Sequence, residues 1–176
     1  MTRLTDSVFD PAAPGRWFIW GMPLSGKTSL GKKLKKILPF PVFDLDAELE
    51  KRTQKTVSRL FAEEGEAAFR RQESALLREI AADHPRVLVV TGGGTPCFAG
   101  NAAWMLDSGT CLFMHTSMQE IVRRAAVSAG RPLLDDDPPA RLAELYAVRL
   151  PVYRTAHAEF FSEAEALAFF APAAGR

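Results

Sequence analysis

The eight residues Gly21-Met22-Pro23-Leu24-Ser25-Gly26-Lys27-Thr28 constrain this chain more than any other stretch. They fit GxxxxGK[ST], in which a glycine-rich turn wraps phosphate oxygens with backbone N–H groups, a lysine reaches the β- and γ-phosphates and a hydroxyl binds Mg²⁺. Such a turn works between a strand and a helix, and the flanks supply both. Trp17-Phe18-Ile19-Trp20 reads as a short buried strand, and Leu30, Leu34, Ile37 and Leu38 mark the apolar face of a helix over about 27–38. The helix N-terminus adds partial positive charge beside the phosphates. A simple glycine turn is the competing explanation, but the four specified positions recur by chance only about once in 200 chains of this length. Gly21, Met22, Pro23, Leu24, Ser25, Gly26, Lys27, Thr28 and Ser29 are therefore the candidate nucleotide-binding set, with Thr28 a candidate metal ligand.

Beyond the loop, segments of strand and helix character alternate. Val42-Phe43 is a short strand bounded by Pro39 and Pro41, and a helix is expected near 47–52. A segment carrying Val57, Leu60 and Phe61 at helical spacing precedes a long helix over about 66–82 that buries Phe69, Leu76, Leu77 and Ile80. Arg86 to Val90 reads as a central strand ending in Gly92-Gly93-Gly94. A helix over about 99–107, a strand over Thr110–Met114 and a helix marked by Met118, Ile121, Val122 and Ala125 follow. Residues 127–139 lose periodicity and read as a lid loop. A helix over about 140–156, bent or broken at Pro151, a strand at Glu159-Phe160-Phe161 and a helix over about 162–170 complete the pattern. The alternation implies an α/β fold, a parallel sheet with helices on both faces. Residues 1–16 read as a flexible N-terminal extension and 17–176 as a single domain. Lys32, Lys33, Lys35 and Lys36 read as the solvated face of the first helix.

Composition serves mainly to exclude. A net charge of +1 gives no case for nucleic acid as a partner, and no apolar run is long enough for a membrane span or a secretory signal. Cys97 and Cys111 have no metal-ligand or redox-motif spacing, so a reduced, cytoplasmic protein is expected. His84, His115 and His157 share no metal spacing and are expected to be structural or exposed.

Three features could carry chemistry. Asp44-Leu45-Asp46 lies at a strand end, where alternation would aim both carboxylates to one side and ligands collect. One acid would hold Mg²⁺ through water while the other takes a proton from an attacking hydroxyl. Asp46 could instead cap a helix starting at Ala47, and both readings stand at this point. Gly92-Gly93-Gly94 carries an entropic cost that makes sense if a ligand lies directly on the backbone, although a flexible turn has the same composition. Arg70, Arg131 and Arg149 offer planar forks suited to carboxylate or phosphate, although a lone arginine is more often a solvated surface residue.

In order, the phosphate loop, Asp44-Leu45-Asp46, Glu64-Gly65-Glu66 with Phe69-Arg70-Arg71, Gly92-Gly93-Gly94, Arg131-Pro132-Leu133-Leu134 and Arg149-Leu150-Pro151-Val152-Tyr153 resemble shikimate kinases, small P-loop kinases of the nucleoside-monophosphate-kinase type. The resemblance runs from about Trp17 to His157, and Thr95-Pro96-Cys97-Phe98 resembles a subgroup of the family. It implies a three-layer P-loop NTPase fold: a five-stranded parallel sheet of order 2-3-1-4-5, a substrate-binding segment at about 44–80 and a lid at about 127–139. It further implies ATP and Mg²⁺ on Lys27 and Thr28, Asp44 assisting the metal, and Asp46 as the base on the substrate hydroxyl. Arg70 and Arg149 would grip the shikimate carboxylate, Gly92, Gly93 and Gly94 would line its site, Arg131 would reach the transferring phosphate and Arg124 would stack near adenine.

The expected activity is ATP-dependent phosphorylation of the 3-hydroxyl of shikimate by a monomer. The P-loop entry Trp20-Gly21-Met22-Pro23 is bulkier than the family's usual form, and Asp135, Asp136 and Asp137 add negative charge to the lid. Two rival readings remain. A gluconate kinase of similar fold is disfavoured by two arginines and a glycine wall suited to a small carboxylate-bearing ring. A nucleotide-binding regulatory protein without catalysis is disfavoured by Lys27, Asp46 and Arg131 occurring together.

Overall fold

The computed structural model describes residues 15–127 and 138–174. Its strands are β1 (Arg16–Trp20), β2 (Val42–Asp44), β3 (Val87–Val90), β4 (Thr110–Met114) and β5 (Ala158–Phe160). All pair in parallel, in the order β2-β3-β1-β4-β5 that the family resemblance implied. Phe18 stands opposite Val89 on one side and Cys111 on the other, so β1 is central. A central strand covered on both faces can be apolar at every position. Accordingly Phe18 and Trp20 enter one core while Trp17 and Ile19 enter the other.

The helices are α1 (Lys27–Ile37), α2 (Leu45–Thr53), α3 (Val57–Asp83), α4 (Asn101–Ser108), α5 (Met118–Val127), α6 (Pro138–Tyr153) and α7 (Glu163–Ala174). Through Leu30, Leu34, Ala166 and Phe170, α1 and α7 cover the Trp17–Ile19 face. The others cover the opposite face through Leu45, Leu77, Met105, Ile121 and Leu142. Lys32, Lys33, Lys35 and Lys36 are exposed on α1. No helix among the described residues is long and apolar enough to cross a membrane.

Several boundaries differ from the sequence expectation for local physical reasons. Arg16 opens β1 instead of ending the extension, because it pairs with Val87 in the sheet, and its Nε also donates to the Ala81 carbonyl at 2.7 Å; residues 1–14 lie outside the described residues. The strand after Pro41 runs through Asp44, and α2 begins at Leu45 because the Asp44 carboxylate accepts from the Ala47 N–H at 3.2 Å. The cap is therefore Asp44, not Asp46, and the alternation argument fails for the pair, since Asp46 stands in the first turn of a helix. Gly65, at φ 79, breaks α3 and separates the short segment bearing Val57, Leu60 and Phe61 from the long helix that carries Arg70. Pro151 falls in the last turn of α6, where its missing N–H costs one helical bond and the helix stops at Tyr153, short of 156. The strand expected at Glu159-Phe160-Phe161 is shifted one residue, to Ala158–Phe160, and α7 extends to Ala174. Val127 ends α5 and Pro138 opens α6, so most of the lid segment, with Arg131, lies outside the described residues.

Candidate active site

The phosphate loop leaves β1 through Gly21, whose φ of 149 and whose closeness to the Met114 carbonyl, 2.6 Å from where a Cβ would stand, leave no room for a side chain. Leu24 sits in the left-handed region at φ 65, a conformation L residues hold only when the surroundings impose it. Two bonds do so: Arg124 Nη1 donates to the Leu24 carbonyl at 2.8 Å, and the Thr116 hydroxyl donates to the Ser25 carbonyl at 3.1 Å. Lys27 Nζ donates to the carbonyls of Gly21 at 2.9 Å and Met22 at 2.7 Å and to Ser25 Oγ at 3.2 Å. Its ammonium is thus held inside the curve of the loop. Thr28 is exposed at the start of α1, and the neighbouring Ser29 hydroxyl turns toward Glu163, 3.4 Å away.

Arg124, expected near the adenine, lies against the backbone of the phosphate loop. One guanidinium nitrogen is on the loop, and Nε pairs with Glu120 at 2.7 Å; hydrogen bonds from Arg123 and then Arg124 draw the Glu120 carboxyl down to about 2. The Gly26 backbone faces the same guanidinium, 3.2 Å from where a Cβ would be.

A second cluster gathers at the carboxyl ends of β2 and β3. Burial, followed by the charges of Glu73 and Asp44, raises the Asp46 carboxyl to about 6 despite the opposing pull of Lys27 and Arg70. Such a value suits a proton acceptor at neutral pH. Gly92 is what lets the acids approach: a Cβ there would meet Glu73 Oε1 at 2.7 Å and Asp46 Oδ1 at 2.8 Å. Arg70 Nη1 donates to Glu73 Oε2 at 2.7 Å, and its guanidinium lies 5.5 Å and 5.0 Å from the ring centres of Phe61 and Phe69. Arg149, on α6, faces the Tyr153 hydroxyl, and the charges of Arg149 and Arg70 both act on the Cys97 thiol, so the two arginines flank one locality. The P-loop lysine, Asp46, both arginines and the glycine turn thus converge. Gly93 joins the two halves, since a Cβ there would stand 2.6 Å from Pro23 Cδ of the loop.

Glu73 is the main residue the sequence reading did not single out. It is fully buried, and it also accepts a short hydrogen bond from the Thr95 hydroxyl. Paired with Arg70 and bonded by Thr95, it orients the Arg70 guanidinium, and its charge helps to raise the Asp46 carboxyl. The neighbouring polar groups are satisfied too: Asn101 Nδ2 donates to Ser74 Oγ at 2.8 Å and to the Thr95 carbonyl at 2.9 Å.

Gly94 tests how tightly this is packed. A Cβ at Gly94 would stand 2.2 Å from Arg70 Nη2 and 2.4 Å from its Cζ. The guanidinium cannot step aside without leaving Glu73. Gly94→Ala is expected to lower stability by about 1–3 kcal/mol, read by thermal denaturation, and to weaken binding of an anionic substrate. Unchanged stability and affinity would mean that Arg70 is not confined by the turn.

The residues fit a hard divalent cation. Asp44 Oδ2 is buried with no hydrogen-bond partner, while Oδ1 is spent on the helix cap. A carboxylate oxygen and a threonine hydroxyl beside phosphates are the sparse all-oxygen set typical of Mg²⁺. No group of three or more histidine, cysteine or acidic residues among the described residues forms a self-contained metal cage. The histidines have structural partners: His84 bonds the Ile80 carbonyl, His157 accepts from the Cys111 N–H, and His115 lies between the Phe113 and Phe161 rings.

The family model for shikimate kinase matches residues 23–169. A shikimate kinase of Nitrosospira multiformis is 39% identical over 150 residues, covering 84% of this chain and 76% of the relative. Among solved structures, a shikimate kinase from Bacteroides thetaiotaomicron superposes with a TM-score of 0.77 at 35% identity, covering 86% of this chain and 88% of that one. A shikimate kinase from Acinetobacter baumannii in complex with shikimate gives 0.81 at 26% identity, covering 92% and 95%. A Sinorhizobium meliloti gluconokinase, at 19% identity and 0.51, shares the fold alone.

Proposed function

We propose, from the premise that this chain belongs to the shikimate kinase family, a division of labour among its residues for phosphoryl transfer from ATP to the 3-hydroxyl of shikimate. The product is shikimate 3-phosphate, on the route to aromatic amino acids. Phosphoryl transfer needs positioning and charge stabilisation more than covalent chemistry, and each residue is assigned one of these tasks. The P-loop backbone and Lys27 hold the β- and γ-phosphates, and Arg124 lies on the adenine side. Thr28 and Asp44 would hold Mg²⁺, which supplies charge neutralisation on the phosphate oxygens. Asp46 orients the 3-hydroxyl and takes its proton. Arg70 and Arg149 hold the carboxylate against Gly92, Gly93 and Gly94. Arg131 is assigned to the transferring phosphate on its family motif alone. We further assign the protein to the cytoplasm, as a monomer.

The observation that supports this reading is that buried Glu73 pairs with Arg70, which packs on Gly94, and meets Asp46 over Gly92, so the guanidinium and the candidate base share one glycine turn. The test compares shikimate with its methyl ester, which keeps ring and hydroxyls but loses the charge. Wild-type protein should release ADP with shikimate and bind the ester roughly 10- to 150-fold more weakly, the worth of about 1.5–3 kcal/mol for a charge-assisted bidentate pair. Arg70→Lys keeps the charge opposite Glu73, so the fold stays intact, but a point charge cannot reproduce the planar fork and acid and ester should then bind more alike. Titration calorimetry on both proteins with both ligands gives the four affinities. Equal binding of acid and ester by the wild type would remove the carboxylate clamp.

A further inference from the structure

Tyr153 has a fully buried side chain that none of the assigned roles uses. Its hydroxyl donates to the Gly93 carbonyl at 2.6 Å, in the glycine turn after β3. Its own backbone carbonyl accepts from Trp20 Nε1 at 3.0 Å, the last residue before the P-loop. The ring packs on Phe113, with centroids 5.3 Å apart, and the oxygen lies 3.9 Å from Met22 Sδ. Arg149 stands one turn earlier on α6, close enough for its charge to act on this hydroxyl. Three parts of the site therefore meet at one oxygen: the loop that binds phosphate, the turn that lines the second substrate, and the helix that carries a guanidinium.

We propose that Tyr153 is a positioning residue, whose hydroxyl holds the Arg149 guanidinium in register with the Gly93 turn and so sets where the shikimate carboxylate sits relative to the P-loop. The hydroxyl donates to the Gly93 carbonyl while its free lone pairs face the Arg149 guanidinium one helical turn away, so one group can serve both. Gly93 in turn abuts Pro23, where a Cβ would be 2.6 Å from Cδ, which ties this register to the phosphate side. Phenylalanine would fill the same space and keep the stacking on Phe113, but it would leave the Gly93 carbonyl without its donor and the Arg149 guanidinium without the oxygen it faces. This inference rests on the assignment of Arg149 to the carboxylate.

The test is steady-state kinetics of Tyr153→Phe with shikimate and ATP varied separately, beside Arg149→Ala, the double variant and Trp20→Phe. Tyr153→Phe should raise KM for shikimate about 3- to 10-fold, the scale of one buried hydrogen bond, and leave KM for ATP within about twofold. In the Arg149→Ala background, the same change should add less than about twofold, because the group it positions is gone. Trp20→Phe removes the bond to the Tyr153 carbonyl but not the hydroxyl, so it should lower Tm and leave both KM values alone. A lower Tm with both KM values unchanged in Tyr153→Phe would make the hydroxyl merely structural and overturn the inference. Equal rises in both KM values, or full additivity with Arg149→Ala, would overturn it as well. If Arg149→Ala itself leaves KM for shikimate unchanged, the carboxylate assignment fails first and takes the inference with it.

Discussion

Lys27→Ala is expected to yield a folded protein whose turnover falls by about 10³-fold or more. The ammonium is the one full positive charge that the P-loop itself places inside its curve, and electrostatic stabilisation of that kind is the larger part of phosphoryl-transfer catalysis. Only its position in the loop is at stake structurally. Lys27 is 6% exposed, but it bonds two carbonyls and a hydroxyl of its own loop, while the cores are built from Phe18, Leu30, Leu77 and their neighbours. Circular dichroism and Tm should therefore change little while ADP release nearly stops. A second effect follows from the charge. Lys27 pulls the Asp46 carboxyl down, so its loss should move any residual activity to higher pH. Wild-type turnover in folded Lys27→Ala would remove the P-loop assignment.

Asp46→Asn is expected to cost roughly 10²-fold or more in kcat and to make the protein more stable at neutral pH. The first effect is the scale of general base catalysis. In the wild type the base protonates as pH falls, so kcat/KM should rise through about pH 6 and level off above it. The second effect follows from proton linkage. Asp46 has a folded-state value of about 6 against an ordinary 3.8, so between those values the folded protein binds more protons than the unfolded chain. Stability from this group therefore falls as pH rises from about 4 to 6, and the whole cost, on the order of 1–3 kcal/mol, is present at pH 7. Asparagine removes that cost. The variant should gain several degrees of Tm at pH 7.5, and the gain should vanish below pH 4. Because the helix cap belongs to Asp44, no cap is lost. A loss of Tm at neutral pH with kcat intact would make Asp46 a structural residue.

What could be read from the chain without its fold was whatever is written within a few consecutive residues. GxxxxGK[ST] between an apolar run and an amphipathic helix carries its own geometry, because turn, glycines and helix start are neighbours in sequence. Strand and helix periods mark most element types, since one covered face repeats every 2 or 3.6 residues. Glu73 was also open to detection. It stands in the stripe of Phe69, Leu76, Leu77 and Ile80, where a charged residue must be buried and paired, and it lies three residues after Arg70.

The tertiary structure decided what depends on partners distant in the chain. Which aspartate caps α2 turned on whether the strand ends at Phe43 or Asp44, and that is set by pairing of Asp44 with Val90 in the sheet. Thr95 meets Glu73 across 22 positions, and the Tyr153 hydroxyl meets Gly93 across 60. Hydrogen bonds of this range leave no periodic trace, because nothing local requires them; they exist only once β3 and α6 are brought to the same end of the sheet. The raised Asp46 carboxyl belongs to the same class. Its causes are burial and the charges of Glu73 and Asp44, so a residue type legible as an acid becomes a base suited to neutral pH only where the packed fold removes its water.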